Sequence, residues 1–291
     1  MNLDHARQYF ARVIPWPQDG EQPSYVNILW TMKRPDRDKP FWMGRATRSG
    51  DEAAKTVKWA MSLPDTRDVY ACLSSQRVAE TKTSAKGKTY LNAVRSQDNA
   101  VALNSLFLDV DIKDTAYPDA TSAVTALKEF IKATGLPRQT MTVASGGGLH
   151  VYWTLMRALP PEEWKPLANA LATAAKKHGL KCDTVCTVDS ARILRVPGTL
   201  NHKLEKPRPV RIAGTVVEHN YSVERIEQAL KPYMTEPVAP ALPRRAPLVG
   251  VNDLAAGIET KAQPVDLDNV AAHTPTRTEP AWTSAGSSHE N

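Results

Sequence analysis

The chain has 291 residues, 42% of them hydrophobic and 23% charged, with a formal net charge of +6. That length and composition allow one large domain or two modest ones with a real core, and they exclude a chain too polar to fold. Only four of its 37 lysines and arginines, but seven of its 31 acids, fall after residue 234, leaving 33 bases against 24 acids before it. The folding portion is therefore basic, which suits nucleic acid or nucleotide as a partner, though a merely solvated basic surface has the same count. Cys72, Cys182 and Cys186 make no disulfide framework. Residues 1–7 carry no apolar signal core and no stretch reaches membrane-spanning length, so a cytoplasmic protein off the membrane is expected.

In chain order, Ala6, Phe10 and Val13 give residues 1–13 a helical period, stopped by Pro15 and Pro17. Tyr25–Met32 and Phe41–Gly44 read as strands, with the charged, proline-flanked stretch Lys33–Pro40 as a turn. A helix follows Ser49-Gly50 and runs to Ser62, and Val69–Leu73 reads as a buried strand. Residues 76–99, polar and rich in Lys and Arg, are expected to be a mobile basic loop. Ser105–Ile112 is a strand. Thr121 or Ser122 caps a helix through Ala133 that Gly135 closes. Strands Thr140–Ala144 and Leu149–Leu155 flank the turn Ser145–Gly148. A helix then begins at Pro160-Pro161 and runs through Lys177, with Glu162 and Glu163 at its positive end. Arg192–Val196 and Val210–Ala213 are short strands, and Ser222 caps a last helix, Val223–Leu230. From residue 235 seven of the 22 prolines occur with no apolar period, so 235–291 is expected to be a linker or disordered tail.

Three places could carry chemistry. In Leu108-Asp109-Val110-Asp111 the two aspartates share one face of a strand. Paired carboxylates on a buried strand repel each other and resist desolvation; a divalent cation such as Mg²⁺ or Mn²⁺ relieves both. The plainer alternative is a strand that runs out into a turn with both acids solvated. Ser145-Gly146-Gly147-Gly148-Leu149-His150 could bring backbone N–H groups to an anion, with the His150 imidazolium beside a phosphate, or it could be a glycine hairpin with a packed histidine. In residues 188–203 Asp189 could add a third carboxylate, with Asp183 as its rival, and Arg192, Arg195 or Lys203 could clamp a triphosphate. A surface ion pair of Asp189 with Arg192 is the plainer reading.

This order resembles the archaeo-eukaryotic primase superfamily: Asp109-x-Asp111, then Ser145-(Gly)₃-x-His150, then Asp189 followed by Arg192, Arg195, Pro197-Gly198-Thr199, Asn201 and Lys203. More narrowly it is similar to the primase-polymerase domains of phage and plasmid replication proteins, over roughly residues 100–205 by motif. The resemblance implies an α+β, primase-like fold in which an N-terminal α/β module packs on a strand-rich catalytic module with the active site between them. The catalytic domain would span 1–234, with residues 1–100 as its N-terminal module, 101–215 as its motif-bearing module and a terminal helix in 216–234. The resemblance further implies metal-dependent nucleotidyl transfer from dNTPs or NTPs on a single-stranded DNA template in a bacterial host, with a helicase as a possible neighbour beyond the tail.

By the same resemblance Asp109, Asp111 and Asp189 would hold two Mg²⁺ or Mn²⁺ ions and His150 would be catalytic. Ser145, Gly146, Gly147, Gly148, His150, Arg192, Arg195, Asn201 and Lys203 would bind the nucleotide. The full Gly146-Gly147-Gly148 run is longer than the family's usual turn, which leaves open which amides meet phosphate.

Other readings are weaker. His178, Cys182 and Cys186 recur every four residues, but they lack the tight pairing of structural zinc sites, so zinc is not expected. Trp16, Trp30, Trp42, Trp59, Trp153 and Trp164 could stack on single-stranded DNA, yet all but Trp16 lie in apolar segments that read as core. A non-catalytic single-stranded nucleic-acid-binding module is one alternative function. A replication-initiator endonuclease is another, but the chain lacks the His-apolar-His pair which that class needs.

Overall fold

The computed structural model describes residues 3–17, 23–34, 37–84, 86–203 and 205–234; the expected tail, 235–291, lies outside the described residues. Helix α1 (Leu3–Val13) buries Ala6, Tyr9, Phe10 and Val13, one stripe at three- and four-residue spacing. Strands β1 (Val26–Arg34) and β2 (Arg37–Thr47) pair antiparallel, with Trp30 opposite Met43. The turn expected over Lys33–Pro40 is thus mostly strand. Because β2 is an edge strand, Pro40 fits there without costing the sheet an interior hydrogen bond.

Helix α2 (Gly50–Ser62) starts with a reciprocal cap: Ser49 Oγ accepts the Glu52 N–H, and Glu52 Oε2 accepts the Arg48 N–H at 2.8 Å. Then come β3 (Thr66–Cys72) and β4 (Ser74–Gln76), followed by a hairpin of β5 (Ala79–Thr83) and β6 (Thr89–Ala93). This hairpin replaces the mobile basic loop expected over 76–99. Its lysines disguise an alternation of β-branched Thr81, Thr83 and Thr89, and Asn99 ties its base by donating to the carbonyls of Val78 and Val94.

The long strand β7 (Ala100–Asp111) is followed by α3 (Ala120–Thr134), whose N-cap is Asp119 rather than Thr121 or Ser122; its Oδ1 accepts the Ser122 N–H at 2.8 Å. Strands β8 (Met141–Ala144) and β9 (Gly148–Leu159) lead to α4 (Pro161–Lys177) and the single turn α5 (Thr184–Thr187). Short strands β10 (Ile193–Arg195), β11 (Leu200–Asn201), β12 (Arg208–Pro209) and β13 (Arg211–Ile212) precede α6 (Val223–Leu230).

Two sheets organise the molecule. One has the order β13-β8-β9-β7-β4, the other β10-β3-β1-β2. They exchange strands across the chain: β4, which precedes β7 in sequence, joins the first, and β10, which follows α5, joins the second. Trp164 of α4 stacks on Phe107 of β7 with ring centres 5.7 Å apart and donates its indole N–H to the Ser105 carbonyl. On the same sheet Tyr9 of α1 meets Tyr152 of β9 edge-on at 5.8 Å. These contacts bury the middle of the β7–β9 pair and leave its far end, with Asp109 and Asp111, to form a site.

Candidate active site

The register of β7 against β9 sets the site. Asp109 stands opposite His150 and Asp111 opposite Gly148, so both acids share a face while Val110 between them is buried on the other. His150 Nε2 lies 3.8 Å from Asp109 Oδ1. The pairing depends on Gly148, because a Cβ there would come 2.4 Å from the Val110 carbonyl oxygen. Gly146 is required for a different reason: its φ is +82°, in the left-handed region. Gly147 is exposed and under neither constraint.

A third carboxylate arrives by way of an unfilled strand edge. β4 is only three residues long and pairs with Ala100–Leu103, so the later residues of β7 have no strand on that side. The chain after α4 fills the gap: Cys182 bridges Val110, and the Asp183 N–H donates to the Asp109 carbonyl at 2.9 Å. Asp183 also N-caps α5, its Oδ1 accepting the Cys186 N–H at 3.0 Å. One ligand atom each from Asp109, Asp183 and Cys186 falls within 4.8 Å of the others. Asp189 is not in that group; its Oδ1 accepts the Ala191 N–H at 3.0 Å, in the turn leading to β10.

Cations surround the acids unequally. Arg192 Nη2 is 3.5 Å from Asp183 Oδ2 and 3.9 Å from Asp109 Oδ2. Arg195 points elsewhere, into the second sheet. Its Nε donates to Asp68 Oδ1 at 3.0 Å and its Nη2 to the Tyr70 hydroxyl at 3.2 Å, while Asp68 also accepts the His202 N–H. Lys113 Nζ pairs with Asp111 Oδ2 at 2.8 Å in the open. Asn201 is buried and bridges the two loops, donating from Nδ2 to the Ser145 carbonyl and accepting the Lys203 N–H. Ser145 is buried too, and the Lys203 side chain is exposed.

Burial decides the protonation states. The Asp109 carboxyl is pushed up to about 6, first by desolvation, with Asp111 and Asp183 raising it further and Arg192 and Arg195 holding it down. His150, 2% exposed, is pushed down to about 3 by burial and then by Arg195 and Arg192. The imidazolium expected at this position is therefore a neutral imidazole at neutral pH, because burial disfavours its charge and the nearby guanidinium groups of Arg195 and Arg192 repel it. Burial also pushes the Cys182 thiol up to about 12 and the Cys186 thiol upward, so both are protonated.

The remaining candidates separate clearly. His178 is paired through Nε2 with the Tyr233 hydroxyl at 2.7 Å and does not join Cys182 and Cys186 in a ligand group among the described residues. Trp30, Trp153 and Trp164 are buried, whereas Trp42 is 45% exposed and leans on Tyr70 at 5.3 Å. Sequence reasoning missed Asp68 and Tyr70. The available signal was an acid, Asp68, set directly before the apolar run Val69–Leu73.

No protein-family profile matches the chain. A replication protein of Clostridium perfringens is 26% identical over 171 residues, which cover 56% of this chain and 40% of that protein. The chain thus spans about two fifths of the length of the curated relative it matches. Among solved structures it is similar to the primase-polymerase domain of cyanophage S-2L, with a TM-score of 0.46, 15% identity and coverage of 72% of this chain and 90% of that one. It is also similar to the primase RepB′, with a TM-score of 0.47, 16% identity and coverage of 79% and 62%. The chain is thus similar over part of its length to a curated replication protein, and its mixed helix-and-sheet structure has a primase-polymerase domain and a primase among its likenesses.

Proposed function

We propose that this chain carries the catalytic domain of a replication primase-polymerase, joining nucleotides on a single-stranded DNA template in a bacterial cell. The observation that carries this reading is the convergence of Asp109, Asp183 and Arg192 at the end of the β7–β9 pair, with His150 opposite Asp109 and Asp111 on the same face. The carboxylates of this site fit a hard divalent cation, since a carboxyl held up to about 6 by burial and like charge gains most from a cation beside it.

Asp109, Asp111 and Asp183 are the residues that would hold Mg²⁺ or Mn²⁺, with Asp183 in the place that motif order alone gives to Asp189. When bound there, the ions would activate a primer 3′-hydroxyl and neutralise the triphosphate. Arg192 borders the carboxylates and is 30% exposed on its side chain, so it can turn a guanidinium toward a triphosphate while keeping one ionic partner. His150, as a neutral imidazole, offers an N–H to a phosphate oxygen without adding charge. Gly146–Gly148 let the turn's backbone approach that phosphate, and Asn201 fixes the turn by its bond to the Ser145 carbonyl. Lys203, exposed beside Asn201, would meet the outer phosphates. Asp189 shapes the turn that delivers Arg192, and Arg195 anchors β10 through Asp68.

The test is incubation of the full chain with Mn²⁺ or Mg²⁺, single-stranded templates and labelled nucleotides, with and without primer. Template-dependent product that disappears in Asp109→Ala/Asp111→Ala supports the reading. Template binding without product under every condition favours the non-catalytic module instead.

A further inference from the structure

Cys186 brings a sulfur into the carboxylate cluster. Its side chain is fully buried, yet its Sγ and an oxygen from each of Asp109 and Asp183 lie within 4.8 Å of one another. The placement follows from the cap: Asp183 binds the Cys186 N–H through Oδ1, so the two side chains are held on the same side of α5. His150 borders the cluster from β9. It is 2% exposed, its Nδ1 has no hydrogen-bond partner, and its Nε2 points at Asp109 from 3.8 Å.

Two carboxylates and a thiol do not make an all-oxygen cage. Mg²⁺ takes oxygen ligands almost exclusively, whereas mixed oxygen and sulfur donors suit Zn²⁺ and its softer analogue Cd²⁺. Hard-ion chemistry at the carboxylates gives the Cys186 sulfur no role.

We propose that Asp109, Asp183 and Cys186, bordered by His150, form a site for a thiophilic divalent cation, Zn²⁺ or Cd²⁺, which competes with Mg²⁺ or Mn²⁺ for the same carboxylates. Binding replaces the Cys186 S–H bond with a sulfur–metal bond and releases the proton to solvent, with no change of oxidation state. Such an ion inhibits any reaction that needs the hard cation there. The proposal rests on reading these carboxylates as metal ligands and not on polymerase activity.

The probe is Cd²⁺, added to the full-length, metal-free protein without nucleotide or template. One equivalent is expected to give a thiolate-to-cadmium charge-transfer band in the ultraviolet and, in protein preloaded with Mn²⁺, to release Mn²⁺ as free-ion electron paramagnetic resonance signal. Cys186→Ser removes the band and weakens Cd²⁺ binding by about tenfold or more. In Cys72→Ser/Cys182→Ser, Cys186 is the one thiol left and the band persists at full strength. Absence of the band in the native protein, its survival in Cys186→Ser, its loss from the double variant, or Cd²⁺ uptake that releases no Mn²⁺ overturns the proposal. A chain that gives the band but makes no product on a template keeps this site and loses the primase reading; product without the band does the reverse.

Discussion

Asp109 and His150 face each other across the β7–β9 ladder with Oδ1 and Nε2 3.8 Å apart, and burial displaces their protonation equilibria in opposite directions. The carboxyl is raised from 3.8 to about 6, and the imidazole is lowered from 6.5 to about 3. Each group is therefore held closer to its neutral form than it would be in the unfolded chain, which is what a desolvated strand end imposes on charge.

The first prediction concerns stability. A raised carboxyl binds its proton more tightly in the folded state, so Asp109 costs the metal-free protein stability as pH climbs from about 3.8 to about 6, and the cost stays constant above that. Asp109→Asn should therefore stabilise the metal-free protein at pH 7.5 by about 1–3 kcal/mol while removing Mn²⁺ binding. Urea denaturation in chelator, with Mn²⁺ titration beside it, measures both. The depressed imidazole acts the other way: its contribution is lost as pH falls from about 6.5 toward 3, so His150→Gln should flatten the acid limb of the same curves.

Metal affinity should follow the ionisation of Asp109. Below about pH 6, Mn²⁺ affinity is expected to fall by about tenfold per pH unit, the signature of one competing proton. Arg192 is the largest influence holding the Asp109 carboxyl down, so Arg192→Gln should move the midpoint of that fall to higher pH. Mn²⁺ titrations across pH in the two proteins provide the comparison.

Two adjacent glycines should behave differently. Gly148→Ala forces a methyl group toward the Val110 carbonyl, and the strained pairing should cost about 1–3 kcal/mol and displace His150 from Asp109. Gly147→Ala meets nothing closer than 3.7 Å and should change stability by no more than about 0.5 kcal/mol. Denaturation midpoints of the two variants decide this.

Much of this arrangement was legible in the sequence, and the misses have physical causes. The strand carrying Asp109 and Asp111, the Gly148 turn and the helices behind Ser49 and Ser222 declare themselves through alternation, helical period and caps. The β5–β6 hairpin did not, because Lys82, Lys86 and Lys88 gave it the composition of a solvated loop although its threonines alternate. The sequence offered Asp183 only as the rival of Asp189 for the third carboxylate, and the backbone bridge that carries Asp183 to Asp109 was not legible, for another reason. It depends on β4 being too short to cover β7, a long-range vacancy with no local pattern. Arg195 looked like a phosphate clamp because only the fold reveals Asp68, 127 residues away, as its partner.

That buried pair supplies a further prediction. Arg195 and Asp68 side chains are each 10% exposed, so removing one partner leaves the other charge desolvated. Asp68→Ala should destabilise the protein by about 3–5 kcal/mol, and Asp68→Leu/Arg195→Met should recover much of that loss. Thermal and urea unfolding of the single and double variants test it.

The most direct measurement is template-dependent nucleotide incorporation in Mn²⁺ by the wild type, Asp109→Asn, Asp183→Asn and Asp189→Asn, each shown to be folded by circular dichroism. Product is expected from the wild type, with a loss of about a hundredfold or more in Asp109→Asn and Asp183→Asn and a much smaller loss in Asp189→Asn. Undiminished product from Asp183→Asn, or no product from the wild type with any template or nucleotide, contradicts this expectation.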